Sequence, residues 1–581
     1  MTHFLDDLLA VARDAPDVVA LRWFGDSRFG GGPLGRRDGA RVREEVTFGD
    51  LAERIERTAS GLRAQGLQPG DRVLFSIRPR PEGVILCLAV LRAGGAVVFV
   101  DPGSTPELFA ARLAAARPRW AATEALLYAA SSGPLRRIAR SRGLLLPDYG
   151  RLPVRHLYTG PWLPGVPRGA RRVARLAARG LGPAPGSGPA SSSAPGLSSQ
   201  SGGAPDDVDR EALVVFTSGT TSDPKAVVHT ARTLGGMLGL FAQVGDLRPG
   251  QRAHTDQMFL GLPAILAGGT WEIPARSPKD APEAFARGVA GADSSFLVPA
   301  DVTALLDVLE AGGAVGPAVL AVGAAPVTVA LLERGRRILP GTRWLAVYGA
   351  TEILPAAMTD ADEKIAAAAA GDLVGRPLDG IGVRVDPAAV DPDDSAAGMP
   401  PSDGEPRVGE LVLTGPSLMA GYLSDLDAGK PRATEHRTGD LAYQDTDGRI
   451  VLVGRNRDMI IRGTVNIYPG LFEPRLRDLP GVADAVLVGV PVPDGDERVV
   501  LVVTAEGGSR GGPGDAAAPQ VRTDTDLTRA VADQVGQVLD HGALPDLVVE
   551  VSHVPVAGRS RKPDRRALVI LVSPHTGTVR A

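Results

Sequence analysis

Short apolar runs alternate with amphipathic segments through most of the chain. "DRVLFSI" (71–77) precedes "PEGVILCLAVLRAG" (81–94), and "AVVFVDP" (96–102) precedes "TPELFAARLAAA" (105–116). Further on, "AVLAVGAAP" (318–326) precedes "VTVALLERGRRIL" (327–339) and "RWLAVYGATE" (343–352). Short β-branched runs read as buried strands and the longer segments as helices, so their alternation predicts strands crossed by helices in a largely parallel α/β arrangement. After Gly454 the rhythm changes: "ADAVLVGVPV" (483–492) and "ERVVLVVTAE" (497–506) predict strands, and "DLTRAVADQVGQVL" (526–539) a helix. That compact α+β unit is of a size that folds alone. The expected division is a large N-terminal domain over 1–454 and a small C-terminal domain over 455–581.

Three stretches interrupt the pattern. Residues 180–207, "GLGPAPGSGPASSSAPGLSSQSGGAPDD", are almost all Gly, Pro, Ser and Ala and hold too little apolar surface to order themselves, which predicts a disordered insertion. Residues 391–406 and 506–520 read as long surface loops.

Composition narrows the function. Of 581 residues 44% are hydrophobic, and the net charge is −4. Bases and acids are interspersed along the chain, which argues against a long basic face for nucleic acid or anionic lipid and favours a small-molecule substrate. The single cysteine, Cys87, excludes an intrachain disulfide and suits a cytoplasmic location. The eight histidines are scattered, with no pair at ligand spacing. The N-terminus "MTHFLDDLLAVARDAPD" carries acids where a secretory signal would be apolar. The most apolar run, "GVILCLAVLRAGGAVVFV", contains Arg92 and two glycines and is expected in a folded core, with no transmembrane segment.

Lysine usage is the sharpest chemical signal. Among 63 basic residues only five are lysine: 225, 279, 364, 430 and 562. Generic surface charge here is arginine, so a lysine stands out wherever a compact, mobile cation is needed instead of a rigid planar fork. Lys225 ends the loop "VVFTSGTTSDPK", in which Thr217, Ser218, Thr220 and Thr221 supply hydroxyls and Gly219 allows close backbone approach. This is a donor-rich cradle for phosphates. It is not a Walker A loop, because the G-x-x-x-x-G-K-[ST] spacing is absent.

Three further segments follow in order: "YGATE" (348–352), "RTGDLAYQDTDGRIVLVGRNRDMI" (437–460) and "RKPDRRAL" (561–568). With the phosphate loop and "VTFGDLAERIERTASGLRAQGLQPGDRV" (46–73), they make the chain resemble the adenylate-forming superfamily over about residues 15–570. That superfamily comprises acyl-CoA synthetases, peptide-synthetase adenylation domains and luciferases. The resemblance implies an α/β fold: a large N-terminal domain of α/β subdomains plus a distorted β-barrel, then a small mobile α+β domain. It implies ATP and Mg²⁺ as cofactors.

The resemblance also assigns roles. The loop from Thr217 to Lys225 would hold the β- and γ-phosphates, and Glu352 would bind Mg²⁺. Tyr348 would stack on adenine beside the turn Gly323, Ala324 and Ala325, with Gly349 and Thr351 in the same nucleotide-binding region. Asp440 would accept the ribose hydroxyls, Arg455 would lie near ribose and phosphate, and Arg457 would be the hinge. Lys562 would bridge the substrate carboxylate and the α-phosphate, with its neighbouring arginines as surface charge. His254 and Phe259, in "HTDQMFLGLP", fall where the family lines its acyl pocket.

Departures from the family pattern are Ser222 and Ala226 in place of loop glycines, Leu471 where glutamate is common, Arg457 at the hinge, and Arg561 before the lysine. These bear on the second half-reaction more than the first. The leading expectation is therefore a ligase that activates a carboxylic acid and transfers it to CoA. "YGATEILPAA" with "LVGRPLDGIGVRV" is similar to the olefin-pathway branch, which implies as a rival the closure of a β-hydroxy acyl-adenylate to a β-lactone without CoA. A separate carrier protein as acyl acceptor and a degenerate nucleotide-binding scaffold are the remaining alternatives.

Overall fold

The computed structural model describes residues 3–25, 41–100, 106–132, 135–136, 146–179, 208–216, 225–310, 315–325, 327–367, 372–387, 407–455, 460–462, 465–467, 469–491, 497–506, 509–510, 519–537, 539, 544–557 and 562–578. The insertion 180–207 and the stretch 391–406 lie outside them.

Two large sheets dominate. In the first, strands Glu211–Phe216, Ala96–Phe99, Arg72–Ser76, Trp120–Glu124, Arg155–Thr159 and Arg171–Arg172 lie side by side and run parallel. In the second, Val19–Gly25, Thr270–Ile273, Arg252–His254, Ser294–Leu297, Val319–Val322 and Arg343–Ala350 do the same. The alternation read from the sequence is thus realised as two parallel blocks crossed by helices. Beyond Arg343–Ala350 the second sheet continues through antiparallel strands and ends on Gly382–Asp386. The expected barrel is, among the described strands, an open antiparallel ladder.

The helices follow their sequence signals. Phe48–Ala64 is capped by Thr47, whose hydroxyl accepts from the Asp50 amide, and it buries Phe48, Leu51, Ile55, Ala59 and Leu62 on one face. Pro81–Arg92 starts on its proline and is buried almost all round, which explains why its sequence is uniformly apolar. Cys87 lies inside it, its thiol pushed up to about 12 by burial.

C-terminal to these sheets, Val482–Pro491 pairs antiparallel with Glu497–Ala505, and helix Asp526–Gln534 is capped by Thr525. The segment expected as a loop at 506–520 includes a two-residue strand, Ser509–Arg510, paired parallel with His553–Val554. Parallel α/β sheets place their ligand crevices at the carboxyl ends of the strands. Those ends carry the phosphate-loop entry after Phe216, the turn after Val322 and the "YGATE" segment.

Candidate active site

Strand Arg343–Ala350 delivers Tyr348 to the end of the second sheet, where its hydroxyl donates to Asp440 Oδ2 at 2.5 Å. Asp440 sits in strand His436–Gln444 and is 6% exposed. Its amide donates to Thr438 Oγ1, which in turn donates to the Leu411 carbonyl, so the carboxylate is held from behind. Arg455 is its cross-strand partner, at the end of Ile450–Arg455. The adenine and ribose contacts implied by resemblance are therefore neighbours in space.

The turn after Val319–Val322 is tight. A Cβ on Gly323 would lie 2.9 Å from the Val347 carbonyl, and Ala324 has φ of +63°, a left-handed backbone that costs a non-glycine residue about 1–2 kcal/mol. Strain of this kind is retained where the surrounding structure enforces it, commonly at ligand sites. A Cβ on Gly349 would lie 2.7 Å from Leu354 Cδ1.

Glu352 follows directly. Tyr422 donates its hydroxyl to Glu352 Oε1 at 2.9 Å, and His436 Nε2 lies 4.0 Å from Oε2. Lys225 Nζ stands 5.1 Å from the centroid of the same Tyr422 ring. Burial, together with the adjacent Glu352, pushes the Tyr422 phenol up, which keeps it protonated as a donor. Burial holds His436 below the ordinary imidazole value, against the opposing pull of Glu352, Asp440 and Glu410. His229 donates from Nε2 to the Thr351 carbonyl at 2.9 Å and fixes the backbone beside Glu352; burial lowers its imidazole too.

Lys225 and Tyr422 are adjacent because strand Ala226–Thr230 pairs with both Glu211–Phe216 and Gly421–Tyr422. Phe216 opposes Ala226, so the two strands that flank the expected phosphate loop are paired up to its first and last described neighbours. Thr217, Ser218, Gly219, Thr220, Thr221 and Ser222 lie outside the described residues, as do Arg457 and Arg561.

His254 and Phe259 take different positions. His254 is 1% exposed, packs edge-on against Phe285 at 5.0 Å, and has Nδ1 3.5 Å from Glu272 Oε2. Burial pushes Glu272 up, but His254, Arg22 and Arg252 bring it below the usual carboxylate value. Phe259 stacks edge-on against Phe99 at 5.6 Å.

Lys562 opens the short strand Lys562–Pro563, paired with Val556–Ala557, immediately before helix Arg565–Val572, which Asp564 caps. One expectation is corrected here. Arg565 is not surface charge: it makes a forked ion pair with Glu473, at 2.7 and 2.9 Å, and Glu473 is 6% exposed. Leu471 lies in that same helix, Pro469–Arg477.

Tyr422, His436 and His229 escaped sequence reasoning. His436 was the most accessible of the three, because it lies four residues before Asp440 on one strand and a period of two puts both side chains on one face. Tyr422 had no such signal, being 70 residues from Glu352.

Chemically, the cluster offers one carboxylate held by a neutral donor, a lysine over the ring of that donor, and a second carboxylate beside an aromatic hydroxyl. A lone carboxylate suits Mg²⁺, which commonly takes one or two carboxylates and completes its shell with substrate phosphates and water. Among the described residues no group of three or more His, Cys, Asp or Glu could hold a metal on its own. None of their helices is long and apolar enough to cross a membrane.

Comparison with known proteins identifies the family and the fold. The model of a family described as "AMP-binding enzyme" matches residues 10–423. An olefin beta-lactone synthetase of Xanthomonas campestris pv. campestris is 29% identical, over 95% of this chain and 95% of its own. A fatty acid–[acyl-carrier-protein] ligase of Mycobacterium marinum is 26% identical, over 95% and 94%. The solved structure of an amide bond synthetase from Marinactinospora thermotolerans superposes with a TM-score of 0.68 at 23% identity, covering 98% of this chain and 99% of that one, a likeness of fold.

Proposed function

The chain belongs to the AMP-binding enzyme family and is an ATP-dependent adenylate-forming enzyme, and from that premise we propose that it activates a β-hydroxy carboxylic acid and closes the adenylate to a β-lactone. In the first step a carboxylate oxygen attacks the α-phosphorus of ATP and pyrophosphate leaves. In the second, the substrate's own β-hydroxyl oxygen attacks the acyl carbon, AMP leaves with the bonding pair, and the hydroxyl proton is released. The observation that carries this reading is likeness along the whole chain to an olefin beta-lactone synthetase, joined to the "YGATEILPAA" segment. It moves preference away from CoA transfer, which the sequence alone placed first.

The residues divide the work by charge. Lys562, on the small domain after Gly454, brings its ammonium to the carboxylate and α-phosphate, where negative charge concentrates in the transition state. Lys225 and the hydroxyls of the phosphate loop position the pyrophosphate end. Mg²⁺, bound at Glu352, would neutralise charge on the phosphate oxygens. Tyr422 orients Glu352 for that purpose, and Tyr348 and Asp440 hold the nucleoside.

The test is the product. Purified protein with ATP, Mg²⁺ and a β-hydroxy acid should release pyrophosphate and form a compound one water lighter than the acid, with or without CoA. A thioester formed only when CoA is added would replace this reading with an acid:CoA ligase. Transfer only to a phosphopantetheine thiol would instead indicate a separate carrier protein as partner.

A further inference from the structure

The chain-wide balance of charge does not hold locally. Residues 131–180 contain eleven arginines and a single acid, Asp148, so the acidic excess lies entirely elsewhere. The segment's two described strands form one edge of the first sheet, Arg155–Thr159 the penultimate strand and Arg171–Arg172 the last.

Asp148 is shared by Arg136 and Arg151, at 3.8 and 3.4 Å. Arg168, Arg171 and Arg175 are exposed and make no ion pair among the described residues. Of the seven exposed large apolar side chains among the described residues, Trp162 at 62% and Leu135 at 46% fall in this segment, and Leu126 at 56% lies just before it. Leu126 and Trp162 are brought to one end of the sheet by its topology. Trp120–Glu124 and Arg155–Thr159 are parallel neighbours, so the helix Ala125–Ala130 and the loop carrying Trp162 leave the sheet at the same end. The loop then presses on that helix, since a Cβ on Gly165 would lie 2.7 Å from the Tyr128 carbonyl and 2.3 Å from Ser132 Oγ.

We propose that this edge docks the protein on an anionic lipid surface. Unpaired arginines supply attraction to phosphate headgroups, each on the order of fivefold in affinity near the surface. Tryptophan belongs at headgroup depth, where its ring is half immersed and its N–H stays wet. A bilayer also needs no fixed register. It therefore suits arginines distributed along a strand edge and a helix better than a protein partner, which requires a shaped counterpart. The proposal is independent of which acid the enzyme activates.

Sedimentation of the full chain with vesicles tests it without substrate. Binding is expected to phosphatidylcholine vesicles containing phosphatidylglycerol, to fall steeply with added salt, and to be weak on phosphatidylcholine alone. Arg168→Gln/Arg171→Gln/Arg175→Gln should weaken binding by on the order of a hundredfold. Trp162→Ala should weaken it several-fold, and acid-dependent pyrophosphate release in solution should be unchanged in both variants. Failure of the wild-type protein to sediment with anionic vesicles at low salt overturns the proposal. So does equal binding by the triple variant, or binding to polyglutamate in place of vesicles, which would make the edge a protein dock.

Discussion

Tyr422 donates its hydroxyl to Glu352 across 70 residues of sequence, and Lys225 lies over the same ring. One aromatic side chain thus couples the end of the phosphate loop to the carboxylate proposed for Mg²⁺. Tyr422→Phe keeps the ring beneath Lys225 and removes only the hydroxyl. Glu352 then loses a donor that fixes its rotamer, and the expected outcome is a five- to tenfold higher Mg²⁺ requirement, equivalent to about 1–1.5 kcal/mol for one hydrogen bond. Pyrophosphate release titrated against Mg²⁺ at saturating ATP checks it. An unchanged Mg²⁺ dependence would leave Tyr422 a purely structural residue.

Tyr348 and Asp440 give a separable prediction. A short hydrogen bond to a carboxylate that is 6% exposed contributes about 1.5–3 kcal/mol. Tyr348→Phe should lower unfolding stability by that amount and raise KM for ATP several-fold with a smaller change in kcat, because the ring remains while the ribose acceptor loosens. Urea unfolding and ATP-dependence measurements read the two effects independently.

Asp256 should show a pH-dependent stability. Burial, reinforced by Asp301 and Asp280, raises its carboxyl from 3.8 to about 6. The native state therefore binds the proton more tightly than the unfolded state does. The stability this group gives is fully present below pH 3.8 and is lost as pH rises through about 6. That difference corresponds to at most about 3 kcal/mol of native-state cost above both values. Asp256→Asn should therefore raise the thermal midpoint at pH 8, with the gain shrinking as pH falls towards 4. A gain independent of pH would assign the effect to packing.

Much of this architecture is legible in the sequence because parallel strands buried on both faces must be continuous apolar runs. "DRVLFSI" becomes Arg72–Ser76, and "AVLAVGAAP" becomes Val319–Val322 with its turn. Tyr348, Glu352 and Asp440 stand out through ordered motifs, and Lys562 also through the chain's scarcity of lysine. What stays hidden is contact made by folding. Arg565 reads as one more surface arginine until Glu473, 92 residues away, is seen beneath it. Tyr422 and His229 act through partners 70 and 122 residues distant, with no local pattern to announce them. The basic edge was missed for a different reason: averaging charge over the whole chain conceals a segment of fifty residues.

The central claim is that Lys562 supplies the cation for adenylation. The direct measurement is acid-dependent exchange of pyrophosphate into ATP by Lys562→Ala and Lys562→Arg, with nucleotide binding followed in parallel. Lys562→Ala should lose at least about a hundredfold in exchange, a usual loss for removing one preorganised charge from a transition state, while still binding ATP. Lys562→Arg should recover only part of it, since a rigid guanidinium cannot take the place of a compact ammonium. Near-normal exchange by Lys562→Ala would contradict the account.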